Sequence, residues 1–512
     1  MTSSQRKTND VPSIQTLGQL KAAGYQPESI KDELRRNLIA KLRAGETVFP
    51  GIFGYEDTVI PAVERAILSG HHINLLGLRG QAKTRIARLM TNLLDEYIPV
   101  VAGSELNDDP LRPLSRYAVD LIAEKGDETP LTWLHRDERY TEKLATPDVS
   151  VADLIGDADP IKAATLKLPY SDERVIHFGL IPRSHRGIFV INELPDLQAR
   201  IQVSLFNILQ EGDIQIRGFK LRLPLDLLFV FTANPEDYTN RGSIVTPLKD
   251  RIDSQILTHY PKSIDISKKI TRQEARVKAG QQVVAVNDIA EDLVEQIAIE
   301  ARQSEYVDAK SGVSARMTIS AYENLVSAAE RRALINGEKS THVRVSDVYG
   351  TIPALTGKVE LVYEGEVEGP YIVAMNLMGK AIRSQFLNYF PDPEKLKKVA
   401  KDKGGKSPYK KITDWFGDGN VIDLLSDLSE KDYRNRLRAI DGLDELIDRV
   451  YPDVTEAEKF FRMEFVLHGL SEFSLISKKT LERGLQFKDL TDSLFDPDKF
   501  KFDDEDGDDD FR

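Results

Sequence analysis

Not one of the 512 residues is cysteine. That excludes disulfides, thiolate nucleophiles and cysteine-bound zinc or iron–sulfur centres, and it suits a reducing compartment. Long apolar runs are missing too. No stretch approaches the ~20 residues a membrane-spanning helix needs, and Met1 to Pro12 is polar, without the apolar core of a secretion signal. A soluble, cytoplasmic protein is expected. Positive charge is in deficit, with 69 Lys and Arg against 82 Asp and Glu, a net of −13. The segment from Asp492 to Arg512 alone carries −7, which leaves −6 for the rest. Binding through counterion release needs a concentrated basic face. The composition therefore argues against a general nucleic-acid binder and leaves room only for a basic pore inside an oligomer. Histidines are few as well. The eight present, among them His71, His72, His177 and His185, show no HExxH or comparable ligand spacing, so they read as core or surface residues and not as a metal site.

What the chain does contain is ample material for cores: 41% hydrophobic and 29% charged residues over a length that suits about three compact units. Ile30 to Leu42 has apolar residues at helical spacing, followed by a break at Gly45, Pro50, Gly51 and Gly54. From Val59 to Leu257, short apolar runs alternate with amphipathic segments. INLLGL (Ile73 to Leu78), GIFVIN (Gly187 to Asn192) and LLFVFTAN (Leu227 to Asn234) read as strands buried on both faces of a parallel α/β sheet. The polar stretch Ala102 to Arg186 is too long for one crossover and must hold insertions. Asp213 to Leu225 reads as a hairpin about Gly218 and Phe219. From Ile264 to Leu355 the pattern is helical, with a capping box of Ser320 and Glu323 opening a helix. GKVELVYEGEVEGPY after Gly357 allows a small strand pair, and helices follow through Asp489. The basic run Lys397 to Lys411 reads as a charged linker, and DDEDGDDD (Asp503 to Asp510) as a solvated tail.

The strongest chemical signal is GLRGQAKT, Gly77 to Thr84, between an apolar strand and an amphipathic helix. A phosphate-binding loop needs this context: backbone N–H groups at the helix start cradle phosphates, Lys83 reaches the β/γ oxygens, and Thr84 holds magnesium. Gly77, Gly80, Gln81, Ala82, Lys83 and Thr84 are the candidate nucleotide-binding residues. Ala82 stands where that pattern has glycine, so the backbone there must tolerate a Cβ. The strand GIFVIN delivers Asn192 and Glu193 at its carboxyl end, where a glutamate can activate the attacking water. An aspartate commonly precedes that glutamate and supports Mg²⁺; Asn192 keeps the oxygen but not the charge. Asn234 ends another strand and could orient the water. In TPLKDRI, Arg251 could neutralise transition-state charge on a neighbouring subunit's nucleotide.

In this order and spacing the signals resemble the AAA+ ATPases, and within them the magnesium chelatase ATPase subunits and MoxR-type proteins. The stretch from Arg183 to Ile252 carries the likeness, with the Arg-x-His-Arg-Gly lead at Arg183 to Gly187, the Walker B strand, the hairpin before the sensor strand, and the pair Asp250 and Arg251. The likeness is specific over about Phe49 to Pro261 and looser beyond. In SARMTISAYENL, Arg316 takes the position that contacts the γ-phosphate from the lid in that family. The resemblance implies an AAA+ α/β P-loop domain over 49–262 with a presensor hairpin. Before it lies a helical segment over 1–48; after it come a helical lid over 263–356, a mostly helical region over 357–490 and a disordered acidic tail over 491–512. It also implies ATP and Mg²⁺ as cofactors, catalysis by Glu193, Asn234, Arg251 and Arg316, metal ligation by Thr84 and Asn192, a homo-oligomeric ring of six copies, and a partner bearing a von Willebrand A domain.

Three functions share these motifs: a chelatase-like ATPase that remodels a protein partner, a true magnesium chelatase subunit powering Mg²⁺ insertion into a porphyrin, and a nucleotide-binding scaffold with weak hydrolysis, suggested by Ala82 and Asn192. A sigma-factor activator is disfavoured, because the chain has no GAFTGA loop and no convincing C-terminal helix-turn-helix.

Overall fold

The computed structural model describes residues 12–169, 172–216, 222–235, 243–397, 407–481 and 484–490. The hairpin turn at Gly218 and Phe219, most of the basic run and the acidic tail lie outside them. The chain divides into two compact units, Met1–Tyr260 and Pro261–Arg512.

The first unit is built on a parallel sheet. Its strands are β1 (Ile73–Leu76), β2 (Tyr140–Leu144), β3 (Gly187–Asn192), β6 (Leu227–Ala233) and β7 (Ser254–Leu257), in the order β7-β1-β6-β3-β2; β4 (Asp213–Gln215) and β5 (Arg222–Pro224) form a separate antiparallel hairpin. The three apolar runs are the three central strands, and their alternate residues face two different cores. Ile188, Val190, Leu228 and Val230 pack in one, while Phe189, Ile191, Phe229 and Phe231 pack in the other. Burial on both faces is why these strands read as continuous apolar runs rather than alternating ones.

The helix predicted at Ile30 is α1 (Ile30–Ala44). Ser29 caps it by accepting the Asp32 N–H at 3.2 Å, and Gly45 ends it in the left-handed region. Leu34 and Leu38 bury in the same core as Ile73 and Leu75. The buried Glu33 of α1 receives Arg139 through two bonds of 2.7 and 2.6 Å, fixing the helix to the start of β2. The long polar stretch does hold insertions, including the helix Arg116–Lys125 and the strand Leu131–His135, which pairs antiparallel with Tyr97–Val101 just before the stretch. It also holds β2 itself.

The histidines divide between core and surface, with His177 and His342 exposed. His72 and His185 are buried, and each accepts a backbone N–H on Nδ1, from Phe229 (3.1 Å) and Asp226 (2.9 Å) respectively. Among the described residues no group of three His, Cys, Asp or Glu side chains could hold a metal ion.

The second unit has one core that draws on residues from Val284 to Phe487. Its long helices include α4 (Asp288–Gln303), α5 (Ala315–Ile335), α6 (Pro370–Tyr389) and α7 (Glu456–Glu472). Three sequence expectations are corrected here. Helix α5 opens at Ser314, whose side chain accepts the Arg316 N–H at 3.1 Å, so Ser320 lies inside the helix and caps nothing. The segment after Gly357 holds a short helix, Tyr363–Glu368, in place of a strand pair; Pro370 then starts α6, where its fixed φ and missing N–H are tolerated. The region through Asp489 is not helix alone: β8 (Ile422–Leu425), β9 (Ser477–Leu481) and β10 (Gly484–Lys488) form an antiparallel sheet in the order β8-β10-β9. No described helix is long and apolar enough to cross a membrane.

Candidate functional site

Parallel strands present their carboxyl ends on one edge, and in such sheets that edge carries the ligand crevice. Three central strands end there: β1 runs into the loop at Gly77, β3 ends at Asn192, and β6 is followed by Asn234.

The loop is held from below. A Cβ on Gly77 would come within 2.0 Å of the Thr258 hydroxyl and 2.3 Å of Gln81 Oε1, so only glycine fits. Those two neighbours bond each other, Thr258 donating to Gln81 at 2.6 Å. The Tyr55 hydroxyl lies 3.1 Å from the Gln81 carbonyl, and Tyr260 donates to the Arg79 carbonyl at 3.2 Å. Gly80 has φ +73°, and Ala82 also sits in the left-handed region, with φ +57°. Ala82 therefore adopts the glycine-like backbone that the motif needs, at a steric cost of about 1–2 kcal/mol. Directly after it begins α2 (Lys83–Leu89), which has no side-chain cap. Its first N–H groups are the donors a phosphate would use.

Lys83 leans back over the loop. Its ammonium donates to the Gly77 carbonyl, to the Leu78 carbonyl at 3.0 Å and to Asn234 Oδ1 at 2.6 Å. Thr84 donates to Asn192 Oδ1 at 3.4 Å, and Thr232 donates to the same oxygen at 3.1 Å. Glu193 has φ +55°, and its backbone N–H is held by Thr232 Oγ1 at 3.1 Å; its side chain is partly exposed. A glutamate kept in a strained left-handed conformation at a strand end fits a functional position, since such strain persists only where the surroundings impose it.

The structure thus joins Lys83 with Asn234 and Thr84 with Asn192, and it places Glu193 beside them. Arg251 closes the short helix α3 (Thr246–Arg251) and makes other contacts: Nε donates to Gln210 at 3.0 Å, a terminal nitrogen donates to the Pro247 carbonyl at 2.7 Å, and the guanidinium lies 4.8 Å over the Phe206 ring. Arg316 stands exposed in the first turn of α5, in the second unit. Sequence reasoning missed Thr232, which bridges Asn192 and Glu193, and Glu142 of β2, which accepts the Asn192 Nδ2–H at 2.7 Å. The one available signal for Glu142 was indirect. A strand end that carries Asn where an acid is common leaves a charge to be found elsewhere.

A five-stranded parallel sheet with this order, a glycine-rich loop after β1, an Asn-Glu end on the adjoining-but-one strand and a polar strand end between them make up one α/β module with its polar groups gathered on one edge. Over 229 residues the chain is 24% identical to the magnesium-chelatase 38 kDa subunit of Rhodobacter capsulatus, covering 44% of this chain and 59% of that protein. Over 237 residues it is 25% identical to the subunit of the same name from Cereibacter sphaeroides, covering 44% and 63%. The chain thus spans about three-fifths of these relatives' length. No family model matches it. Among solved structures, the BchI–BchD complex of magnesium chelatase aligns at 19% identity over 62% of this chain and 98% of that one, with a TM-score of 0.32. RuvB of Thermotoga maritima aligns at 13% identity over 80% and 98%, also with a TM-score of 0.32. Both superpositions are loose. What these comparisons show is a similarity in sequence to the magnesium-chelatase 38 kDa subunits over 44% of this chain.

Proposed function

We propose that the first unit binds ATP with Mg²⁺ at the strand ends and hydrolyses it. The observation that carries this reading is the convergence of Lys83 and Asn234 on one side and of Thr84, Asn192 and Glu193 on the other, above a loop with two left-handed residues. The residues fit the cofactors. The loop backbone accepts Ala82 without losing its shape, and Thr84 and Asn192 turn oxygens toward each other where a hard cation could take both. Bound magnesium would supply neutralisation of phosphate charge.

The chain's own residues do the rest. Lys83 holds the β- and γ-phosphates as a fixed cation, within reach because its ammonium already lies across the loop. Glu193 accepts the proton of the attacking water on its carboxylate. Asn234 orients that water. Arg251, from a neighbouring copy in a ring of identical chains, and Arg316, by the role the resemblance gives it, would add positive charge. Work on a protein partner, one bearing a von Willebrand A domain, is the use of this hydrolysis that the resemblance favours; the relatives' name favours magnesium chelation as an alternative. The neutral Asn192 favours a weakly hydrolysing scaffold as the other.

Lys83→Ala tests the binding reading. It removes the ammonium that lies across the loop, so ATP affinity measured by calorimetry should fall below detection; an affinity equal to that of the unaltered protein rejects the site.

A further inference from the structure

The residue that answers for the charge missing at Asn192 lies on the neighbouring strand. An amide is ambiguous by itself: oxygen and nitrogen occupy equivalent positions, and only the surrounding donors and acceptors decide which faces where. At Asn192 they decide it. Glu142 Oε1 lies 2.7 Å from Nδ2, and an ionised carboxylate accepts but cannot donate. With the amide reversed, two oxygens would face each other at that distance. The nitrogen is therefore fixed toward Glu142 and the oxygen toward Thr84 and Thr232, whose hydroxyls both donate to it.

Glu142 is itself held. Arg88 grips it with two bonds, Nε to Oε2 at 2.8 Å and a terminal nitrogen to Oε1 at 3.0 Å, and the Tyr140 hydroxyl donates to Oε2 at 3.1 Å. Arg88 lies four residues beyond Thr84 on α2, so both stand on the same face of that helix. The helix that follows the loop thus touches the pair twice, with Thr84 on the amide oxygen and Arg88 on the carboxylate. Register explains the reach: Glu142 lies opposite Val190 and Leu144 opposite Asn192, so the Glu142 side chain extends forward along the sheet to the strand end.

From this geometry, and resting on the ATP and magnesium reading above, we infer that Glu142 is a positioning residue for the cation: it turns the Asn192 oxygen toward Thr84 and supplies, from β2, the negative charge that β3 lacks. The metal-supporting acid is thereby split into an oxygen on one strand and a charge on the next.

The test uses the full-length chain and a fluorescent ATP analogue, with affinity measured in EDTA and across a magnesium titration. Glu142→Gln keeps an acceptor near Asn192 but removes the charge. Affinity in EDTA should be unchanged, and the magnesium concentration that half-saturates the enhanced binding should rise by about tenfold, as is usual for loss of a supporting partner of a metal ligand. The double variant Glu142→Gln with Asn192→Asp moves the charge onto β3 and should return that midpoint to within about threefold of the original. An unmoved midpoint in Glu142→Gln, or no recovery in the double variant, overturns the inference while leaving the nucleotide site standing. Loss of affinity in EDTA as well would mean that the loop had collapsed, and this too overturns it. An original chain that binds no analogue in either condition removes the underlying site itself.

Discussion

The two units each gather charged and polar side chains, and they use them in opposite ways. In the second unit Glu464 of α7 is fully buried and accepts three donors, the N–H groups of Val345 and Ser346 at 2.8 and 2.9 Å and the Tyr433 hydroxyl at 2.8 Å. It closes the start of the turn of helix at Val345–Thr351. Arg332 and Asp347 pair at 2.8 Å with almost no exposure, and Arg332 also donates to Thr341 and the His342 carbonyl. These groups are closed on all sides. At the strand ends of the first unit the side chains of Lys83 and Glu193 are only partly buried, and they stand on the edge where the sheet opens. Burial of an acid or a base is therefore not a mark of chemistry by itself. A saturated network holds a fold, and an open one at the end of a parallel sheet can hold a substrate.

This contrast can be broken at several points. The largest effect is expected at Arg251. If it serves a neighbouring copy, Arg251→Ala should lower ATP hydrolysis by about 10³–10⁵-fold, with nucleotide affinity and thermal midpoint nearly unchanged. Mixing it with Lys83→Ala protein should return some activity, once exchange of labelled chains has been verified. Hydrolysis at the original rate in Arg251→Ala would end that assignment.

In the second unit the cost should fall on stability. Arg332→Ala leaves Asp347 buried without its cation and should remove about 3–5 kcal/mol from denaturant unfolding, whereas replacing both residues by apolar ones of similar volume should cost far less. Equal losses in the two variants would contradict the closed-network account.

Acid should act on the first unit through its buried histidines. Burial, with Lys31 nearby, lowers His72 to about 3, and burial with Arg186 nearby lowers His185 to about 4. Both stay neutral in the fold while the unfolded chain takes up protons near 6.5, so their contribution is intact above that pH and is lost as pH falls. Asp226 works in the other direction. Burial raises it to about 6, so between about pH 6 and 4 the folded state holds one proton there that the unfolded chain lacks. Two protons gained by the unfolded chain against one by the fold leave a net of one, and stability should drop by about 1.4 kcal/mol per pH unit across that window. Unfolding curves at pH 6, 5 and 4 that superimpose would refute this.

The smallest effect is expected at Ala82. Glycine relieves a left-handed strain of about 1–2 kcal/mol but adds about 0.4–1 kcal/mol of unfolded-state entropy. Ala82→Gly should therefore change stability by no more than about 1 kcal/mol, toward the stable side, with ATP affinity retained; a large loss in unfolding experiments would show that the loop depends on the Cβ.

What the sequence made legible follows from the same physics. Central strands were readable because burial on both faces forces apolar runs. The edge strands β2 (YTEKL) and β7 (SQIL) were not, since each pairs on one side only and keeps polar residues. The sheet of the second unit escaped notice for a similar reason: SKKTL and GLQFK bury few of their side chains. The glycine-rich loop could be read because its parts are contiguous, and the strand-end positions of Asn192, Glu193 and Asn234 because each lies at the end of an apolar run. Glu142 could not, because a partner across a strand pair has no fixed spacing in sequence; only the register brings it to Asn192.

The central claim is that the open strand-end network hydrolyses ATP, with Glu193 as its base, and the most direct test pairs two measurements on one substitution. Phosphate release from ATP and equilibrium ATP binding are followed for the original protein and for Glu193→Gln, which keeps size and polarity but removes the base. The account predicts magnesium-dependent release by the original protein, and in the variant unchanged binding with release lower by about 10²-fold or more. Release by Glu193→Gln at the original rate would contradict it.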